Sequence, residues 1–453
     1  MIIPSQSMRI ERDSLGTVEV PSDALYGAQT ARALSNFNAS GIPIGHFPDL
    51  VRGLALVKKA AVRASHRLGL LPEGLAVPIE DACDEIIAGR HMDAFGVDVL
   101  QGGTGTSSNM NMNEVVANLA ADRLGVPRGR YDVVHPNDHV NLCQSTNDAY
   151  PTAIRIAVLA GSGRLCHALN ALALEMEARA HEFADIRKLG RTQLQDAVPM
   201  TVGQEFRAFA ATLREDVARL AEIGALLNEV NLGGTAIGTG VNAPATYRSI
   251  AVAELAALSG LPLTPAPDLV EASWDTGGLV LFSGMLKRTA TKLSKIASDL
   301  RLLSSGPRGG IGEISLPPMQ PGSSIMPGKV NPVIPEMINQ IAFQVIGSDL
   351  VVTLASEAGQ LQLNAMEPVM AYNMLTSVDL LTRGCRALAE KCIRGLGVNA
   401  RTCARHLDRS TAAATDLVPR LGYAKAAEIA HRALSSGRSI AEIMADGEDA
   451  PHG

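Results

Sequence analysis

Residues 322–332 read Gly-Ser-Ser-Ile-Met-Pro-Gly-Lys-Val-Asn-Pro. Two adjacent hydroxyls, Ser323 and Ser324, share this stretch with one cation, Lys329, and one amide, Asn331. Pro321, Gly322, Pro327, Gly328 and Pro332 interrupt it too often for a helix or strand, so the sequence predicts a loop shaped by Gly and Pro. Such groups suit a reaction in which a point charge and an amide hold an anionic substrate while a proton moves. The stretch is not a phosphate-binding loop. That motif needs four residues between its first Gly and the Gly-Lys pair, then Ser or Thr. Here five residues separate Gly322 from Gly328, and Val330 follows Lys329.

Two further polar clusters lie far away in sequence. Gln144-Ser145-Thr146-Asn147-Asp148 precedes Pro151, and Gly190-Arg191-Thr192-Gln193-Leu194-Gln195-Asp196 precedes Pro199. Ser, Thr and Asn ahead of an apolar run are helix N-cap residues, and the same helix end offers free N–H groups and a dipole to a carboxylate. The second cluster reads as a turn and helix start. A third polar run, Gln101–Asn113, is rich in Gly, Thr, Ser and Asn.

Long helices must position these clusters. Periodicity begins near Leu50, after an irregular, turn-rich stretch up to about His46. Beyond Pro151 it predicts helices over about 154–183, 200–230, 276–303, 334–356 and 369–394. In the second of these, Phe206, Phe209, Leu213, Val217, Leu220, Ile223, Leu227 and Val230 recur at intervals of three and four and define one face. Helices roughly 35–45 Å long can bury such stripes only against one another, which makes a bundle the expected architecture. The pattern shortens after about Val398. The expected division is an N-terminal domain over 1–144, a central long-helix domain over 145–397 and a small C-terminal domain over 398–453. There is no internal repeat.

The chain of 453 residues is 46% hydrophobic, 19% charged and only 3% aromatic, so its core is built from small and aliphatic side chains. A net charge of −6 without a basic run argues against nucleic acid as a partner. No secretory signal and no membrane-length apolar run are read from the sequence, and its six cysteines form no Cys-x-x-Cys pair. A soluble, cytoplasmic protein with no membrane partner is expected. No cofactor is expected either. Gly103-Thr-Gly105-Thr-Ser-Ser lacks the third Gly of a dinucleotide fingerprint, and no metal-ligand spacing occurs. His135 and His139 have no Glu between them of the zinc-protease kind and read as capping or solvated side chains.

The Ser323 loop and the two separated clusters together resemble the fumarase/aspartase superfamily of lyases. The resemblance runs from Leu15-Gly-Thr-Val-Glu-Val-Pro21 to Leu421-Gly-Tyr423. Residues 188–206, 234–240 and 356–369 are similar to bacterial aspartases in particular. The resemblance implies an all-α fold, with a long central helical bundle, a mostly helical N-terminal domain and a small C-terminal helical domain. It also implies a homotetramer with a twenty-helix core and active sites each shared between three subunits.

Superfamily members eliminate across a Cα–Cβ bond to release fumarate, and differ in whether water, ammonia or a larger amine leaves. The resemblance makes Ser323 the base in an anti-elimination that passes through an aci-carboxylate intermediate. It makes Thr106, Ser145, Thr146 and Ser324 donors to the carboxylate that takes up the charge. Lys329, Asn331 and Thr192 would bind the α-carboxylate, and Asn147 and Gln193 the amino group. Class II fumarases have His where this chain has Gln193, paired with a Glu matching Glu336. Gln cannot titrate, so a water-organising relay is missing and ammonia is favoured as the leaving group. The implied substrate is L-aspartate, a small amino-acid dicarboxylate. Three rival readings are a fumarate hydratase, favoured by His135 and Asn137; a lyase for a substituted aspartate, which Trp274, the only Trp, could mark; and a non-catalytic, crystallin-like relative. The Gly/Pro-rich run from Ser304 to Gly328 reads as a lid. The tail at Ala450-Pro-His-Gly453 lacks the further acidic helix usual in aspartases, which implies a thinner cover for the site.

Overall fold

The computed structural model describes residues 7–445, so the tail at 450–453 lies outside the described residues. A hairpin of β1 (Met8–Asp13) and β2 (Gly16–Pro21) is followed by α1 (Ala28–Asn36), α2 (Pro48–Arg67), α3 (Glu73–Ile87) and α4 (Thr106–Arg123). Next come α5 (Thr146–Glu182), a second hairpin of β3 (Arg187–Thr192) and β4 (Gln195–Thr201), and α6 (Val202–Gly224). Strand β5 (Glu229–Val230), α7 (Tyr247–Ser259), β6 (Thr264–Pro265), α8 (Gly277–Leu303), β7 (Ile314–Ser315), α9 (Val333–Glu357) and α10 (Glu367–Leu388) lead to β8 (Gly397–Val398) and α11 (Ala400–Arg409). Short helices α12 (Val418–Leu421), α13 (Tyr423–Ser436) and α14 (Ile440–Ala445) close the described chain. The expected all-α class holds; among the described residues the strands form only two-stranded pairs.

The expected helix over 154–183 begins earlier, at Thr146, with Pro151 inside its first turns. Proline removes the N–H that should pair with the carbonyl four residues back, that of Asn147. Asn231 Nδ2 replaces it, donating to Asn147 O at 2.9 Å. The 200–230 helix is shorter than expected, because Met200 and Thr201 belong to β4 and the α-helix stops at Gly224. Its stripe is nevertheless the buried face: Phe206, Phe209, Leu213, Leu220, Leu227 and Val230 are all buried. The N-terminal stretch read as irregular contains the β1–β2 hairpin and α1.

The chain forms two compact units, each drawn from three segments. The first comprises Met1–Leu165, Arg219–Lys287 and Gln344–Leu380. Within it α2 packs on α3 and α7, and α3 on α4. Asp349 of α9 accepts from Ser283 Oγ of α8 at 2.8 Å and pairs with Lys287. The second unit comprises Cys166–Ala218, Arg288–Phe343 and Leu381–Gly453. There Asp216 of α6, fully buried, accepts Arg288 at 2.7 Å and Lys292 at 2.8 Å from α8. Asn339 of α9 bonds Ser294 and Ser298 of α8. Ile429, Ile440 and Ile443 form a small apolar core in the C-terminal helices.

Helices Thr146–Glu182 and Val333–Glu357 each carry a window long and apolar enough to cross a membrane, with mean hydropathy 1.3 and 1.4. Length and composition alone mark these two helices, a test that core helices also pass, and 56% and 39% of the two windows are buried within the chain.

Candidate active site

In the first unit, Ser145 caps α5. Its Oγ accepts the Asn147 N–H at 3.2 Å, while Asp148 Oδ1 accepts the Ser145 N–H at 2.9 Å. This reciprocal exchange is the capping-box arrangement, with Asp in place of Glu. The other carboxylate oxygen of Asp148 accepts the Gly233 and Thr235 N–H groups, each at 2.9 Å. Asp148 therefore ties the helix start to the Gly233–Gly240 loop. Its carboxyl is fully buried, which pushes its pKa up to about 6.

Asn147 is held in one orientation. Its Nδ2 donates to Ala236 O at 2.8 Å, so Oδ1 is presented as an acceptor. Thr146, nearly buried, accepts Asn109 Nδ2 of α4 on its hydroxyl at 3.1 Å. Asn109 and Asn113 of α4 and Lys58 of α2 all converge on Asn141 Oδ1, at 3.2, 3.2 and 2.8 Å. Lys58 also reaches Gln144 Oε1 at 2.9 Å, and burial pulls its pKa down to about 7. Thr106 opens α4 and is exposed; its hydroxyl donates to Gly103 O at 2.6 Å. Gly105 beside it has φ +87, and a Cβ there would fall 2.5 Å from the Tyr150 ring of α5. Only Gly lets the two helix starts approach this closely. The structure thus brings Thr106, Ser145, Thr146 and Asn147 onto two adjoining helix N-termini. His135 is a cap, as expected: its Nδ1 accepts the Asn137 and Asp138 N–H groups, both at 3.1 Å.

In the second unit, the expected turn and helix start around Thr192 is a β-hairpin, which corrects the sequence reading. Thr192 pairs with Gln195, and Gln193 and Leu194 form its two-residue turn with φ +55 and +62. Both are left-handed non-glycine residues, a strained choice where Asn-Gly is usual. Thr192 and Gln193 are exposed at this tip.

The Ser323 stretch is a loop, as expected, and it is closed on itself. Gly322 N–H donates to Lys329 O at 2.7 Å, and Asn331 Nδ2 donates to Gly322 O at 2.8 Å. A Cβ on Gly322 would lie 2.6 Å from Lys329 O, so this closure requires Gly. Ser323 Oγ accepts two backbone N–H groups, from Ile325 at 3.2 Å and Met326 at 3.1 Å. Ser324 and Lys329 are exposed. A cavity of about 710 Å³ lies beside the loop, lined by Arg301, Ser305, Pro307, Lys329 and Asn331. Glu336, the fumarase-type partner position, lies 4.0 Å from Arg301.

The candidates therefore fall into one group in the first unit and two in the second, with Thr192 and Gln193 on the hairpin and Ser323, Ser324, Lys329 and Asn331 on the closed loop. Sequence reasoning missed the groups that brace them. Asp148 was signalled by its three-residue spacing from Ser145. Lys58 inside an apolar helix, and Glu313 among glycines, carry no such signal.

Residues 16–347 match the protein family described as Lyase. The chain is 57% identical over 442 residues to an aspartate ammonia-lyase of Pseudomonas aeruginosa, covering 97% of this chain and 93% of that one. A fumarate lyase:delta crystallin of Brucella melitensis, whose crystal structure was determined with cobalt bound, superposes with a TM-score of 0.95 at 58% identity, covering 98% and 96% of the two chains. A class II fumarase of Schistosoma mansoni superposes with a TM-score of 0.93 at 35% identity, covering 97% and 95%.

Proposed function

The chain belongs to the lyase family, and we infer that it is a carbon–nitrogen lyase converting L-aspartate to fumarate and ammonia, reversibly. The observation that carries the choice of leaving group is the fixed amide of Asn147. The bond from Nδ2 to Ala236 O fixes the amide's orientation and leaves Oδ1 as its acceptor. A fixed amide oxygen suits an ammonium, which offers only donors. Gln193 adds a second neutral amide and no proton relay.

In this reading Ser323 takes the proton from Cβ. The electron pair moves into the adjacent carboxylate as an aci-dianion, then re-forms as the Cα–Cβ double bond while the C–N bond breaks and the amine leaves with its bonding pair. A serine alkoxide needs donors already in place, and the N–H groups of Ile325 and Met326 on Ser323 Oγ are of that kind. Thr106, Ser145, Thr146 and Ser324 supply hydrogen bonds to the dianion, each worth about 3 kcal/mol when preorganised. Lys329, Asn331 and Thr192 bind the α-carboxylate, with Lys329 as the point charge. The run from Ser304 to Gly328 acts as a lid that excludes water.

The site is completed in a homotetramer and shared between three subunits. A stripe on α9 supports this: Phe343, Ile346, Leu350 and Leu354 follow a helical spacing and are 66%, 39%, 60% and 59% exposed in the single chain. Second copies of the chain, rather than lipid or nucleic acid, cover this face. The segments 1–144, 145–397 and 398–453 are the proposed domains of each subunit. Six free cysteines support a cytoplasmic location. The test is fumarate absorbance from purified enzyme given L-aspartate, L-malate or N-substituted aspartates. A rate on L-malate exceeding that on L-aspartate would replace this reading with a hydratase.

A further inference from the structure

Glu313 precedes the Ser323 loop, and its side chain is fully buried. Two cations and one imidazole, from two other segments, meet its carboxylate. On β3, Arg191 Nη2 lies at 2.7 Å and Lys188 Nζ at 3.1 Å; on α11, His406 Nδ1 lies at 2.9 Å. Lys188 also pairs with Glu205 of α6 at 2.7 Å. The main chain of Glu313 is pinned on both sides. Its N–H donates to Leu303 O at 3.0 Å, and its carbonyl accepts the Asn399 N–H at 2.8 Å. Asn399 Nδ2 donates to Gly312 O at 2.7 Å, and Ile314 and Ser315 pair with Val398 and Gly397. One carboxylate therefore joins the hairpin, the segment leading to Ser323 and the first C-terminal helix.

Burying a carboxyl opposes its ionisation, but hydrogen bonds from Arg191 and His406 and the charge of Lys188 more than offset this and hold Glu313 below the usual carboxylate range. Such a buried network is a weak source of net stability, because apolar packing of similar volume does as well or better. Its distinctive property is geometric. Arg191 immediately precedes Thr192 and pairs with Asp196 across the hairpin. The turn beyond it carries two left-handed non-glycine residues, a conformation that costs energy to hold. Whatever fixes Arg191 fixes where Thr192 and Gln193 point.

We propose that Glu313 is a positioning residue for the elimination: through Arg191 it sets the pose of Thr192 and Gln193, and through His406 it makes that pose depend on the docked C-terminal helix. This rests on the assignment of Thr192 and Gln193 to substrate binding.

The test compares wild type, Glu313→Gln and His406→Gln as assembled enzymes, well below their melting temperatures. Two readouts are used: the separate kcat and KM for L-aspartate, and hydrogen exchange of the 187–201 peptide. For Glu313→Gln the expectation is a loss of about ten- to a hundredfold in kcat/KM, with KM raised, and faster exchange at 187–201. His406→Gln gives the same pattern at smaller amplitude and decides the matter alone if Glu313→Gln does not fold. Folded variants with wild-type kcat, KM and exchange overturn the proposal. Faster exchange with unchanged kinetics also overturns it, since the role is then only structural. Wild-type enzyme that makes no fumarate from L-aspartate instead removes the functional reading, and unchanged exchange at 187–201 would then overturn the positioning claim independently.

Discussion

The backbone N–H of Met326 points at Ser323 Oγ from 3.1 Å, three residues along a loop that closes through Gly322 and Lys329. A hydroxyl already accepting main-chain hydrogen bonds is one whose anion has donors waiting. Ser323→Ala removes the oxygen and leaves the loop closure, which uses Gly322, Lys329 and Asn331, untouched. The variant should fold and assemble as wild type and lose about 10²–10⁴-fold in kcat, the usual weight of a positioned base. Circular dichroism and steady-state kinetics check it; near-normal turnover would mean another group takes the proton.

Lys329 is exposed, and its backbone carbonyl, rather than its side chain, closes the loop. Lys329→Ala should therefore leave the loop shape alone and raise KM for L-aspartate by about tenfold or more, since an uncompensated carboxylate contact is lost. An unchanged KM would separate Lys329 from the α-carboxylate.

Leu194 is 70% exposed at φ +62 and has no assigned contact with substrate. A left-handed non-glycine residue costs roughly 1–2 kcal/mol, and Gly returns part of that to unfolded-chain entropy. Leu194→Gly should stabilise the protein by up to about 1 kcal/mol while keeping turnover. A denaturant midpoint shows this; a lowered midpoint would mean that the Leu194 side chain is packed in the assembled enzyme.

Glu367 on α10 is buried, with Oε2 unpaired, and burial pushes its pKa up to about 8 against partial relief from Arg155. A carboxyl whose folded pKa is raised favours the folded state while protonated. That contribution is fully present below the unfolded value near 4.5 and is lost as pH rises through about 8. Glu367→Gln cannot ionise, so it should flatten this part of the stability profile and be the more stable protein relative to wild type above pH 8. Melting temperatures across this pH range measure it, and parallel profiles for the two proteins would contradict it.

Much of this was legible in the sequence where local rules and tertiary context agree. The α6 stripe, the capped start of α5 and the Gly/Pro-bounded loop at Ser323 follow from periodicity, capping and backbone restriction. The hairpin at 187–201 was not, because its turn places Gln and Leu where Asn-Gly would have announced it. Helix α4 was hidden differently. Asn109, Asn111, Asn113 and Glu114 are all buried, so it has no apolar stripe; its polar groups meet partners contributed by distant segments, such as Asn141 and the Gly27 N–H. The early start of α5 depends on Asn231 serving the carbonyl that Pro151 leaves unpaired, a contact 84 residues away in sequence.

The most direct test is the initial rate of fumarate formation by the purified enzyme on L-aspartate and on L-malate, with Ser323→Ala assayed in parallel. Fumarate is expected from L-aspartate far faster than from L-malate, with that rate lowered about 10²–10⁴-fold in the variant. Faster release from L-malate, or a Ser323→Ala enzyme that still deaminates L-aspartate at the wild-type rate, would contradict it.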